Sequence, residues 1–223
     1  MKIAIIPARG GSKRIPHKNI IDFCGKPMIA WTIEVAIDSG MFDKICVSTD
    51  DEQIAEVCRK YPVGILMRNG YSDDQTTVQQ ATIKSLKQLG IEDGTVVQLM
   101  ACCPLRTSMD IKMAYLNFLQ YKCQFQLSVC QYDFTNPWWA LQIVNKKPKP
   151  LFPKEIKMRS QDLKKLYCPV GAVWIADIKS LFKADTFYAK GYDIYPIEFT
   201  HSIDIDTFSD LRLAESIMRV AHE

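Results

Sequence analysis

The sequence predicts an α/β protein with a Rossmann-like, doubly wound and mostly parallel sheet. The evidence is four short apolar runs in the first half of the chain, helical periodicity between them, and a change of character beyond about residue 130. Apolar runs without polar alternation are typical of strands buried on both faces of a parallel sheet. Strands that alternate with helices indicate βαβ units. The four runs are Lys2–Ile6, Lys44–Ser48, Val63–Met67 and Thr95–Leu99.

The segments between and after these runs carry helix signals. Pro27 suits the first turn of a helix that Ser39 and Gly40 close. A last helix is predicted to start at Thr207, because Asp210 three residues later completes a capping box. Apolar residues with helical spacing are Ile54, Val57, Cys58 and Tyr61 in one segment, and Ile111, Ala114, Tyr115 and Phe118 in another.

The region after about residue 130 has a different pattern. Four prolines between residues 137 and 153 interrupt the alternation of strands and helices. We expect Trp138–Val144 and Gly171–Ala176 to be strands of an inserted β-rich arm. The sequence therefore divides into an α/β domain, residues 1–132 and 191–223, and an inserted arm, residues 133–190.

Composition excludes several classes of protein. The net charge of +3, from 28 basic and 25 acidic residues in 223, does not favour a nucleic-acid partner. No apolar run approaches the roughly 20 residues of a membrane span, and the short apolar start does not resemble a signal peptide. The eight cysteines form no C-x-x-C pair, so we expect small buried side chains in a reducing, cytoplasmic setting and no zinc site.

The loop after the first strand carries the strongest sign of a ligand site. It lies at the edge where an open α/β sheet binds ligands. Gly10 and Gly11 let the backbone approach an anion and offer it N–H groups. The spacing matches neither a P-loop nor a dinucleotide fingerprint, and a solvated basic loop is the alternative. The cations that could neutralise a triphosphate are Arg9, Lys13, Arg14 and Lys18.

A second candidate site lies just before the last helix. Alternate residues of a strand share a face, so Asp204 and Asp206 would project together while Ile203 and Ile205 face the core. Mg²⁺ is commonly held by one or two carboxylates together with substrate phosphates. The alternative is that one of these aspartates only caps the following helix. Combined with the basic loop, the pair predicts a magnesium site.

Together these features resemble the acylneuraminate cytidylyltransferase family, which includes the synthetases of CMP-sialic, CMP-legionaminic and CMP-pseudaminic acids. The resemblance covers residues 1 to about 215 in order and includes both candidate sites. Its further motifs are Val47–Asp50, Pro104–Arg106, Arg159–Leu163 and Pro169–Ala172.

The resemblance implies transfer of CMP from CTP to the anomeric 2-hydroxyl of a nine-carbon 3-deoxy-2-ulosonic acid, with Mg²⁺ as cofactor and pyrophosphate as second product. It makes the α/β domain the nucleotide-binding domain and the arm a dimerisation and sugar-site element, so a homodimer is expected. Asp204 and Asp206 would hold the metal, with Arg9, Lys13 and Asp206 catalytic. The residues that would bind CTP are Ala8, Arg9, Gly10, Gly11, Ser12, Lys13, Lys18, Asn19 and Arg68.

Two segments depart from the family pattern. Met100–Arg106 reads Met-Ala-Cys-Cys-Pro-Leu-Arg where Gln-Pro-Thr-Ser-Pro-Leu-Arg is typical, and Val170–Trp174 replaces Asn-Gly-Ala-Ile-Tyr. The resemblance places these segments beside the sugar, where the changes make the lining apolar. An apolar lining favours sugar acids with a methyl at C9 over N-acetylneuraminic acid. The expected sugar-binding residues are Met100, Arg159, Gln161 and Trp174, with the Arg159 guanidinium on the sugar carboxylate.

Three other functions compete with this interpretation. An eight-carbon 3-deoxy-octulosonate cytidylyltransferase shares the loop type, but Arg159–Leu163 argues against it. A sugar-1-phosphate nucleotidyltransferase would need a phosphorylated acceptor. A non-catalytic nucleotide-binding regulator is disfavoured by the intact pair of aspartates.

Trp138 and Trp139 could also stack on single-stranded nucleic acid, but they lack the basic surroundings of such a platform, and a dimer interface suits them better.

Overall fold

A computed structural model describes residues 1–68, 76–133 and 135–221 of the 223-residue chain. The strands are β1 (Lys2–Ala8), β2 (Asp22–Phe23), β3 (Lys26–Pro27), β4 (Lys44–Thr49), β5 (Gly64–Met67), β6 (Thr95–Gln98), β7 (Phe125–Gln131), β8 (Leu141–Val144), β9 (Lys147–Pro150), β10 (Tyr167–Asp177) and β11 (Asp193–Pro196). The helices are α1 (Met28–Asp38), α2 (Glu52–Cys58), α3 (Val78–Gln88), α4 (Ser108–Gln120), α5 (Ile178–Ala184) and α6 (Phe208–Ala221). None of the helices in these ranges is long and apolar enough to cross a membrane.

Seven strands form the main sheet, in the order β11-β7-β10-β6-β1-β4-β5. β1 pairs in parallel with both β4 and β6, whereas β10 runs antiparallel to its neighbours β6 and β7. From β1 the chain first builds outward to β5 and then returns to β6 on the other side. The strand order therefore reverses beside β1, which is where open α/β sheets bind their ligands. The predicted doubly wound, mostly parallel sheet is confirmed.

The central strand β1 is buried on both faces. Ile3 and Ile5 pack in one apolar cluster with residues of α3 and α5, such as Leu86. Ala4 and Ile6 pack in another, which includes residues of α1 and α4. Helices cover both faces of the sheet, and this explains why the strands read as continuous apolar runs. The four strands predicted from such runs agree with the structure to within one or two residues.

The predicted arm, residues 133–190, is wrong for its second half. Gly171–Ala176 does form a strand, but that strand is part of β10 in the main sheet. The physical reason is its burial, because Ala172, Val173 and Ile175 are all inaccessible to solvent and need cover on both faces. A separate two-stranded sheet remains, the β8–β9 hairpin.

The predicted strand Trp138–Val144 is only partly correct. Its first half lies in a short 3₁₀ helix, Pro137–Trp139, and only Leu141–Val144 is extended. The Asn136 side chain caps this turn by accepting a hydrogen bond from the Trp138 amide at 3.1 Å. Side-chain capping of this kind competes with strand formation.

All eight cysteines are free thiols, and most are buried as predicted, although Cys24 is exposed. Burial raises the pKa of Cys58 to about 12, so this thiol stays protonated at neutral pH.

Candidate active site

A cavity of about 540 Å³ opens at the carboxyl ends of β1 and β6, beside the point where the strand order reverses. Its walls come from the loop after β1, the turn after β6, the start of α3 and the segment before α6. Most of the sequence-predicted site residues are brought together here. Those that line the cavity are Arg9, Ser12, Lys13, Lys18, Asn19, Arg68, Met100, Asp204 and Asp206.

The loop after β1 is held against the end of β4. The Gly10 amide donates a hydrogen bond to Asp50 Oδ1 at 2.9 Å, and the Asn19 side chain donates one to the Arg9 carbonyl at 2.8 Å. A Cβ on Gly10 would lie 2.2 Å from Oδ2 of Asp51. Gly10 is thus needed for the packing of the loop, whereas a Cβ on Gly11 would meet only open space.

Lys18 and Arg14 join the loop to the aspartate segment. Lys18 Nζ donates to Asp206 Oδ1 at 2.9 Å and to the Ile205 carbonyl at 2.8 Å, and Arg14 pairs with Asp206 Oδ2 at 2.8 Å. Partial burial works against ionisation of Asp206, but the two cations lower the pKa of its carboxyl below the ordinary value. Lys18 and Arg14, two of the four basic residues predicted to bind a triphosphate, therefore form ion pairs with the Asp206 carboxylate.

Asp204 has a different environment from Asp206. Burial raises the pKa of Asp204, although contact with the Cys102 thiol and the nearby Lys18 charge oppose the shift. Its Oδ1 atom is buried and has no hydrogen-bond partner among the residues that the structure describes. An unpartnered carboxylate oxygen beside a second carboxylate fits the oxygen ligand set that Mg²⁺ prefers.

The segment that carries the aspartates lies between the 3₁₀ helix Phe199–His201 and α6, and it is not a strand of the sheet. The Ile205 amide donates to the Cys102 carbonyl at 2.9 Å, and Ile205 is fully buried. Although the segment does not pair with the sheet, this contact keeps Ile205 in the core. Asp204 and Asp206, on either side of it, both face the cavity as predicted.

Neither cavity-facing aspartate is needed to cap α6 with its side chain. Thr207 and Asp210 form the predicted capping box, in which the Thr207 amide donates to Asp210 Oδ2 at 2.7 Å and the Asp210 amide donates to Thr207 Oγ1 at 3.3 Å. The alternative in which one of the paired aspartates serves only as a cap is therefore disfavoured.

The four predicted sugar-binding residues are not brought together within one chain. Met100 lines the cavity, but within the described ranges Arg159, Gln161 and Trp174 do not. Arg159 is largely exposed and pairs with Asp162 at 2.8 Å. Its place outside the cavity follows from its position on an exposed turn, the 3₁₀ helix Ser160–Asp162 and its flank.

Trp174 packs as a structural side chain. Its ring contacts those of Phe187 and Tyr188, with centroids 5.6 and 5.4 Å apart, and its indole N–H donates to the Val170 carbonyl at 2.8 Å. The change from the family pattern therefore bears on the cavity through the turn after β6, where Ala101 and Cys102 line it together with Met100. Gly171 makes room for Met100, because a Cβ there would lie 1.9 Å from the Met100 sulfur.

Sequence reasoning missed other parts of the site. Thr77 and Val78 line the cavity from the start of α3, and no motif signalled them. Arg68 was expected to bind nucleotide, and its guanidinium donates to the Ser48 hydroxyl at 3.0 Å and the Ser48 carbonyl at 2.9 Å. Ser48 lies in the Val47–Asp50 motif, which could have indicated this contact.

An α/β sheet with a basic glycine loop at its reversal point, facing two carboxylates, is the arrangement expected of a nucleotidyltransferase. A family model described as "Cytidylyltransferase" matches residues 3–138. The chain belongs to this cytidylyltransferase family, and the resemblance found in the sequence is confirmed.

Relatives support the same family. The chain is 36% identical over 226 residues to a pseudaminic acid cytidylyltransferase of Campylobacter jejuni, covering 99% of this chain and 97% of the relative. It is 32% identical over 219 residues to an N-acylneuraminate cytidylyltransferase of Streptococcus agalactiae, covering 93% of this chain and 51% of the relative. A solved CMP:2-keto-3-deoxy-manno-octonic acid synthetase in complex with CTP shares the fold, with a TM-score of 0.72, 15% identity and 99% coverage of both chains.

Proposed function

We propose that the protein transfers CMP from CTP to the anomeric 2-hydroxyl of a nine-carbon 3-deoxy-2-ulosonic acid, releasing pyrophosphate and using Mg²⁺. The observation that carries this proposal is that the basic loop after β1 and the Asp204–Asp206 segment line one and the same cavity. The acceptor class is supported by the relative named for pseudaminic acid, which matches over nearly its full length.

The protein's task in such a reaction is to position two substrates and to neutralise charge. Arg9 and Lys13 lie in the cavity, where they would offset charge on the departing pyrophosphate. Lys18 and Arg14 hold Asp206 ionised and oriented. Asp204 and Asp206 would hold Mg²⁺, which when bound neutralises phosphate oxygens and lowers the pKa of a nearby hydroxyl.

The function is tested by pyrophosphate release with each of four nucleoside triphosphates and with sialic, legionaminic, pseudaminic and octulosonic acids. CTP should be the best donor. Because Met100 gives the cavity an apolar wall, an acceptor with a methyl at C9 should exceed N-acetylneuraminic acid in kcat/KM by roughly tenfold or more.

Each other outcome of this panel has a definite meaning. Faster turnover with UTP or GTP would contradict the choice of base. Preference for the eight-carbon acid would support the octulosonate alternative, and N-acetylneuraminic acid as the best acceptor would contradict the role given to Met100. Nucleotide binding without turnover on any acceptor would point to a regulator.

Arg9→Ala should weaken CTP binding and slow the chemical step together, because contacts to the leaving phosphates strengthen as charge develops. We expect kcat/KM for CTP to fall by about tenfold to a hundredfold in steady-state assays. Arg59→Ala, which removes an exposed arginine paired with Glu52, is the control. If Arg9→Ala behaves like Arg59→Ala, Arg9 belongs to a solvated loop.

We also propose that the chain forms a homodimer through the β8–β9 hairpin. Leu141 and Ile143 are 54% and 71% exposed, and an isolated two-stranded sheet is at best marginally stable. A twofold pairing of hairpins would cover these side chains.

Light scattering after size-exclusion chromatography should give a dimer at micromolar concentration. Ile143→Asp should weaken the dimer by at least about tenfold, since a buried interface charge costs more than 1.4 kcal/mol. Leu116→Asp is a matched control, because Leu116 is similarly exposed but lies on α4. A wild-type monomer would refute the dimer.

A further inference from the structure

Two adjacent cysteines lie next to Asp204, Cys102 at the wall of the cavity and Cys103 buried behind it. The sulfur atoms of Cys102 and Cys103 and a carboxylate oxygen of Asp204 all lie within 4.8 Å of one another. Asp204 is distant in sequence from the two cysteines. A hydrogen bond from the Ile205 amide to the Cys102 carbonyl, at 2.9 Å, holds the aspartate segment against the cysteine segment. The cysteine spacing alone gave no sign of this group, because its third member comes from the other end of the chain.

The three side chains are confined, and one of their polar atoms is unsatisfied. Cys103 is fully buried and Cys102 is 6% exposed, and Cys102 lines the cavity, which gives an ion a route to the group. Asp204 Oδ1 is buried and has no partner within the described part of the chain. A buried polar atom without a partner destabilises the fold, and a bound cation would supply the missing interaction.

The hydrogen bond with Cys102 and burial raise the pKa of the Cys103 thiol, and the Arg106 charge opposes this rise, so ionisation of the ligand set depends on the bound cation and on nearby basic side chains. Lys18 lies within electrostatic reach of Cys102 and Asp204, and the buried Arg106 guanidinium lies near both cysteines. Two thiolates and a carboxylate carry one more negative charge than a divalent cation balances. The two basic side chains offset this excess.

We propose that Cys102, Cys103 and Asp204 bind a thiophilic divalent cation, of the type represented by Zn²⁺ and Cd²⁺. Zn–S bonds of about 2.3 Å and Zn–O bonds of about 2.0–2.2 Å, in tetrahedral geometry, need ligand atoms roughly 3.5–4 Å apart. The observed separations require only small side-chain movements, and the cavity leaves the fourth position to water. Thiolate ligands select such ions over Mg²⁺, which prefers oxygen.

The cation would share Asp204 with the proposed magnesium site. Its binding would therefore take a carboxylate away from the magnesium ion and inhibit nucleotidyl transfer, a consequence that rests on the proposed function. The binding itself does not depend on that function.

Cadmium titration of the reduced, chelator-treated full-length protein tests the site directly. Ultraviolet absorption from cadmium–thiolate bonds, together with calorimetry, should give one tight ion per chain, retained in excess Mg²⁺ and displaced by Zn²⁺. Cys102→Ser and Cys103→Ser should each weaken binding by about a hundredfold, because removing a ligand costs at least as much as removing its supporting hydrogen bond. Cys24→Ser removes an exposed thiol elsewhere and should leave binding unchanged.

Thermal unfolding provides a second readout. Cadmium should raise the Tm of wild type and Cys24→Ser but not of Cys102→Ser, because an ion bound only to the folded state stabilises it. If Cys103→Ser does not fold, Cys102→Ser, at the edge of the cavity, decides the question.

The proposal is overturned if wild type has no tight cadmium site or if Cys102→Ser binds cadmium as Cys24→Ser does. Turnover without a tight cadmium site would refute this inference alone. A tight site in a protein with no turnover on any acceptor would refute the proposed function alone.

Discussion

Asp204→Asn and Asp206→Asn should each lower kcat by at least about a hundredfold, because a preorganised charge interaction in a water-poor site is worth several kcal/mol. The two variants differ in what else they disturb. Asp206 also pairs with Lys18 and Arg14, so its removal releases both cations. Asp204 Oδ1 has no such partner within the described ranges, and Asp204→Asn is the cleaner test of metal binding.

Steady-state turnover across a series of Mg²⁺ concentrations measures the effect. Excess Mg²⁺ should rescue Asp204→Asn only partly, since an amide oxygen is a weaker ligand than a carboxylate. Asp38→Asn, at the exposed end of α1, is the control and should retain wild-type kcat. Near-wild-type turnover in both site variants would eliminate the magnesium site.

Arg106→Met should destabilise the fold by about 3 kcal/mol. The Arg106 side chain is 2% exposed, and it donates to the Ala172 carbonyl at 2.6 Å and to the Thr32 hydroxyl at 2.8 Å. Burial lowers the pKa of its guanidinium, but an arginine remains protonated at neutral pH. Methionine would occupy a similar volume and leave the Ala172 carbonyl without this donor.

Urea unfolding measures this loss as a lower midpoint at an unchanged slope. Arg212→Met, which replaces an exposed arginine on α6, should change the free energy of unfolding by less than about 0.5 kcal/mol. Equal midpoints for the two variants would show that Arg106 is not a structural link between α1 and β10.

The sequence predicted those parts of the fold that depend on local pattern. The strand at Lys2 and its parallel neighbours are buried on both faces, and this leaves a continuous apolar run. The capping box of Thr207 and Asp210 is local in the same sense. The position of β10 between β6 and β7 depends on pairing between distant segments, which no local pattern contains.

In the candidate site, too, the sequence predicted local motifs but not contacts between distant segments. The glycine loop and the aspartate pair were found because each is a short motif with its own chemistry. The pairing of Lys18 with Asp206, 188 positions away, could not be read from either motif. Nor could the position of Arg159 outside the cavity, because a motif does not state which surface it faces.

The Lys18–Asp206 pair also affects how the protein is made. Contacts between residues so far apart in sequence form late in folding, because closing the long loop between them costs conformational entropy. During synthesis the sheet around β1 can pair before the ribosome has added the segment that precedes α6. A nascent chain at that stage has the glycine loop but neither aspartate, so the proposed catalytic site would be complete only after the Asp204–Asp206 segment has been made.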